Sequence, residues 1–167
     1  GSNYPTAGEY NEVTDPEALN FVLDSQVPFE MLVARYGQSS GTDAVRVTMD
    51  EISANMPGKG PSIATPVTGR HGGAFTNFGD YAVNLFENKT LTGNPPSTAL
   101  YDMAAVVVLK NPSFSEATEI PAPTLAGGTV WQERPDNTRM IVIRENFDRK
   151  AIVADFFATM ENYKLIN

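Results

Sequence analysis

The amino-acid sequence predicts an α+β domain with an antiparallel sheet of three or more strands. Three stretches carry that expectation. Residues 127–167 hold two strand-like runs, a turn and a long apolar helical stripe; Ala104 to Leu109 is an unbroken apolar run; and Phe75, Phe78, Tyr81, Ala82, Leu85 and Phe86 repeat at helical spacing. Strands near 100–109, 129–133 and 139–144 would build the sheet. Helices near 15–25, 29–36, 43–56, 74–87 and 147–163 would pack against it.

From the N-terminus, Gly1-Ser2 reads as a cleavage scar and the rest of 1–13 as an arm, either loose or laid across the body, which leaves 14–167 as a single domain. Thr14-Asp15-Pro16-Glu17 combines a capping residue, a proline suited to a first helical turn and a glutamate three after the threonine. The helix it starts carries Ala18, Phe21 and Val22 and ends at Val27-Pro28, where proline pushes its predecessor out of the helical region. Phe29, Leu32, Val33 and Tyr36, closed by Gly37, predict a second short helix. The segment 43–56 fits two periods: Val45, Val47 and Met49 alternate like a strand, whereas Val45, Met49, Ile52 and Met56 repeat like a helix. Its length and the Thr42-Asp43 start favour the helix.

Pro57 to Gly73 shows no periodicity and reads as a loop long enough to have a function of its own. The aromatic helix at 74–87 follows, weakened at Gly79 by about 1 kcal/mol relative to alanine. The continuous apolar run to Leu109 reads as a strand buried on both faces, and 111–128 returns to loop. Thr129 to Gln132 and Met140 to Ile143 then flank the turn residues Arg134-Pro135-Asp136-Asn137, as a hairpin does. Asn146 stands at the expected cap of the last helix, and Ile152, Val153, Phe156, Phe157, Met160 and Tyr163 form its apolar stripe.

Composition excludes several classes of function. At 167 residues, with 41% apolar and 19% charged residues, the chain can bury a core without staples. It has no cysteine, which removes disulfides, thiolate catalysis and zinc-thiolate sites together. The formal net charge of −8 is concentrated in the first 60 residues, where nine acids face three bases. No cluster of Lys and Arg exists to neutralise a phosphate backbone or an anionic membrane surface, so neither nucleic acid nor a membrane is an expected partner. No apolar run approaches the ~20 residues of a spanning helix. Localisation stays open, because secreted bacterial and viral proteins also lack cysteine.

Few constellations could carry chemistry. Gly69-Arg70-His71-Gly72-Gly73 lies just before the expected helix at 74, where unpaired N–H groups and close glycine backbone would receive an anion. Arg70 would anchor that anion with Gly72 and Gly73, and His71, the only histidine, would be a general base. Ser62, His71 and Asp80 could form a triad, but no nucleophile elbow is present. Gly58-Lys59-Gly60-Pro61-Ser62 lacks the upstream glycine and strand of a phosphate loop. Asp50 and Glu51 are adjacent and diverge on a helix, so no metal site is expected, and no cofactor signature occurs. Asn88-Lys89-Thr90 is a lone glycosylation sequon. Trp131, with Arg134 and Arg139 beside it, is either an interaction hot spot or a core residue packed on the last helix.

Two functions follow as expectations. One is a non-catalytic protein–protein interaction or assembly module that binds a protein partner or a copy of itself. Its texture of few lysines and many Asn, Thr and Pro is that of virion and cell-surface structural proteins, an analogy of composition alone. The alternative is a hydrolase-like small-ligand or anion-binding enzyme using His71 and Arg70. The surroundings of His71 discriminate the two: convergent polar groups in a concavity suit the enzyme, and free solvent suits the module.

Overall fold

In the computed structural model, which describes residues 2–164, short helices alternate with short strands. In chain order these are α1 (Tyr10–Thr14), α2 (Pro16–Asp24), β1 (Glu30–Leu32), β2 (Arg46–Thr48), α3 (Met49–Asn55), β3 (Ser62–Thr68) and β4 (Ala74–Asn77). There follow α4 (Phe78–Glu87), β5 (Ser97–Ala99), α5 (Tyr101–Lys110), β6 (Glu116–Pro121), β7 (Thr124–Ala126), β8 (Val130–Gln132), β9 (Met140–Glu145) and α6 (Arg149–Glu161). The fold is α+β. Its largest sheet has three strands in the order β1-β9-β6 and is mixed rather than antiparallel, because β1 runs parallel to β9 while β6 runs antiparallel to it. The pairs β2-β5, β3-β4 and β7-β8 form separate two-stranded sheets.

The chain divides into two compact units, Gly1–Val45 with Leu100–Arg149 and Arg46–Ala99 with Lys150–Asn167. In the first, Leu23, Met31, Val33, Ala122, Ile141 and Ile143 form a buried cluster, with Tyr4, Leu19, Phe29, Ile120 and Trp131 packed against it. Asp15 caps α2 by accepting the Ala18 N–H, with Pro16 at the first helical position. The N-terminal arm is laid across this unit: Ser2 bridges Val33, and the buried carboxylate of Glu12 accepts from Ser2 Oγ and from the N–H groups of Asn3, Gly8 and Glu9. Arg144 reaches Glu30 at 2.7 Å and the Pro112 carbonyl at 3.2 Å. In the second unit, Val47, Ile52, Met56, Ala82, Ile152 and Phe156 are buried.

Several expected elements are corrected. The strand expected at 100–109 is instead helix α5, Tyr101–Lys110: Ala104, Val107 and Val108 are buried while Val106 and Leu109 face solvent, a one-sided pattern, with Asp102 in the first turn and Lys110 in the last as the helix dipole favours. The expected helix at 29–36 is instead β1, because Met31 and Val33 are buried at the spacing of two that a strand requires. Within 43–56 the helix begins only at Met49, where Thr48 and Glu51 form a capping box; Arg46–Thr48 is strand β2. The helix expected from 74 begins at Phe78, capped by Asn77, and Ala74–Asn77 is strand β4. The runs 129–133 and 139–144 do not pair with each other. Strand β8 pairs with β7 across Gly127 and Gly128, which leaves β9 central in the mixed sheet. Asn146 does not cap the last helix; it is left-handed, with φ 52°, and its amide bonds Glu116.

Candidate functional site

The loop expected at 57–73 contains a strand, and with β4 it makes an exposed hairpin. Ser62 to Thr68 is rich in β-branched residues, namely Ile63, Thr65, Val67 and Thr68, and the pairs Val67–Phe75 and Thr68–Ala74 place the turn at Gly69–Gly73. Gly69 donates to the Gly73 carbonyl at 3.1 Å, and Gly72 to the Gly69 carbonyl at 3.0 Å. Gly72 and Gly73 have φ values of 85° and 83°, a region that side chains resist. The Phe75 ring covers this turn so closely that a Cβ on Gly73 would lie 2.8 Å from it.

The base of the hairpin is fixed within the second unit. Phe78 donates to Pro61 and Gly79 to Lys59, each at 2.9 Å, and Asp80 accepts the Gly58 N–H at 2.8 Å and the Asn77 amide at 2.6 Å. Gly60 donates to the Met160 carbonyl at 2.9 Å, and Lys59 pairs with Glu161 at 3.2 Å. Beyond this anchor β4 alternates exposed and half-buried residues, and β3 lies in solvent. Every residue of β3 is exposed, with Ile63 and Val67 at 48% and 50%. Ile63 and Val67, with Pro61, Phe75, Phe78 and Tyr81, line an open cleft of about 230 Å³. Phe75 and Tyr81 meet there with ring centroids 5.5 Å apart. That volume lies below the ~300 to 1,000 Å³ of typical small-molecule sites.

The cluster Arg70, His71, Gly72 and Gly73 therefore lies in a hairpin turn and not at a helix N-terminus, since α4 starts five residues beyond Gly73. Arg70 and His71 are exposed, and neither makes a hydrogen bond or ion pair among the described residues. Ser62 lies at the opposite end of β3, roughly 20 Å from the turn at about 3.3 Å per residue, and the Asp80 carboxylate is already bonded, so Ser62, His71 and Asp80 do not assemble. The N–H groups of Gly58 and Gly60 are committed to Asp80 and Met160, which leaves no phosphate cradle at Lys59. Asn88 caps the end of α4 and bonds the Asn84 carbonyl at 2.8 Å.

Trp131 packs against the buried cluster of the first unit and meets the Tyr4 ring edge-on at 5.3 Å. Arg134 ties the carbonyls of Ala122 and Pro123 to Asp24, and Arg139 donates to the Val27 carbonyl. Among the described residues no group of three His, Asp or Glu could hold a metal ion, and no helix is long and apolar enough to cross a membrane. The exposed apolar residues Ile63 and Val67 were the missed part of the site. Their signal was the strand composition of 62–68 mirrored by Ala74-Phe75-Thr76 across a glycine-rich turn. Comparison with protein families, with curated proteins and with solved structures found no match for this chain.

Proposed function

We propose that this chain is a non-catalytic protein–protein interaction module whose contact element is the β3–β4 hairpin. The observation that carries the reading is the exposure of a whole seven-residue strand bearing Ile63 and Val67 beside an apolar cleft. Fully burying a Val- or Ile-sized side chain is worth about 1.5 to 3 kcal/mol, and Ile63 and Val67 are half exposed, so covering them gains about half of that at each. Pro66 lacks a donor and the register shifts between Ser62 and Val67, which weakens strand addition along the edge. The contact is therefore made by the apolar face. A second copy of the chain is its simplest partner: no Asp, Glu, Lys or Arg lines the cleft, so two such faces meet around a two-fold axis without like-charge repulsion. The solvent exposure of His71 further favours a module over the hydrolase-like alternative.

Sedimentation velocity tests this directly. The average mass should rise with protein concentration and stay monomeric in the double variant Ile63→Lys, Val67→Lys. A parent chain that sediments as a monomer into the millimolar range would overturn the reading, and so would a variant that associates as the parent does.

A further inference from the structure

The first compact unit carries a concavity whose chemistry differs from that of the hairpin. A cleft of about 380 Å³ is lined by Tyr10, Tyr36 and Tyr101 together with Glu9 and Asp102. Tyr36 and Tyr101 meet edge to face, with ring centroids 5.9 Å apart. The Tyr101 hydroxyl donates to Asp43 at 2.5 Å, which fixes that ring. Glu9 is buried in the wall, its carboxylate accepting from the Asn11 backbone and side chain at 2.8 and 2.9 Å. No Lys or Arg lines the cleft. Arg35, the nearest cation in sequence, is engaged with Glu145, Ser40 and the Tyr4 carbonyl.

A phenol face attracts a cation through its quadrupole, and the carboxylates of exposed Asp102 and buried Glu9 add to that attraction. The negative field is felt by Tyr36 itself, whose phenol is raised above its ordinary pKa by burial and then by the nearby charge of Glu9, with Asp43 and Glu12 contributing further. We propose that this cleft receives an arginine or lysine side chain from a basic segment of a partner protein. The planar guanidinium is the better fit, since it can stack on a ring and bond a carboxylate at once. The inference is independent of the hairpin reading, which concerns an apolar face in the other unit.

The test is an NMR titration with acetyl-tetra-arginine amide, following the tyrosine ring, methyl and backbone amide signals. Saturable shifts should be confined to Tyr10, Tyr36 and Tyr101, with Ile63 and Val67 unmoved. Asp102→Asn and Tyr10→Leu, both at exposed positions, should each weaken binding about three- to tenfold. Several results would overturn the proposal: no ring shifts up to millimolar peptide, shifts scattered over other acidic surface, or affinity unchanged in both variants. Equal affinity for methylguanidinium would do so as well, since the partner segment would then add nothing.

Discussion

Replacing Gly79 by alanine should destabilise this protein, although alanine is the better helix former by about 1 kcal/mol. Gly79 sits in the first turn of α4, where a Cβ would press into the Met56 carbonyl oxygen and lie 2.8 and 2.9 Å from the Lys59 carbonyl oxygen and nitrogen. Backbone cannot swing aside as a side chain can, so the helix end must move. That movement strains the bonds from Phe78 to Pro61 and from Gly79 to Lys59, worth about 1 kcal/mol each. Overpacking adds about 1 to 3 kcal/mol. After the gain in helix propensity, a net loss of about 2 to 4 kcal/mol remains. Urea unfolding of parent and Gly79→Ala measures it, and a variant as stable as the parent, or more stable, would refute the docking of α4 on the 56–61 segment.

Further outcomes follow from the same reasoning. Glu12→Gln should cost about 2 to 4 kcal/mol in urea unfolding, because the new amide turns one acceptor oxygen into a donor among four groups that already donate. On α5, Val107→Ala should lose about 2 kcal/mol through burial and cavity terms, whereas Val106→Ala should be neutral or slightly stabilising; equal losses at both sites would argue for a two-sided strand instead. Burial raises the phenols of Tyr4 and Tyr36, assisted by Glu133 at the first and by Glu9 at the second. Their folded pKa values lie above the unfolded value, so the folded state holds more protons in that interval. Their contribution to stability is complete below pH ~10 and is lost as pH rises through the folded values. Phenolate absorbance paired with urea midpoints between pH 9 and 12, a window set by the ordinary tyrosine value of ~10, checks the sign; a midpoint rising across that window would contradict it.

The parts of the fold legible in the sequence were those where one local signal had no competitor. Thr14-Asp15-Pro16-Glu17 marked the start of α2 within a residue, although the cap is Asp15 and not Thr14, and the stripe through Ile152, Val153 and Phe156 marked α6. Two of the misreadings, at 29–36 and 100–109, share a cause: short apolar runs fit both periods. Ala104 to Leu109 looks two-sided as a string, and only tertiary packing decides that Val106 and Leu109 stay in water. Met31 and Val33 joined a strand because β9 offered a parallel neighbour more than 100 residues away, which no local pattern encodes. The glycines around Arg70 and His71 did mark an unusual place. They serve a tight turn beneath Phe75, and the part of that hairpin available to a partner lies in the plain residues Ile63 and Val67. The tyrosine cleft was illegible for a similar reason, since Tyr10, Tyr36 and Tyr101 come from three distant segments.

The hairpin as contact surface is tested most directly by amide hydrogen exchange in dilute and in concentrated solution. The amides of β3, β4 and the first turn of α4 should exchange more slowly as concentration rises, while those of α5 and β6 keep their rates. Unchanged exchange in β3, or slowing confined to the exposed face of α5 around Val106 and Leu109, would contradict the account.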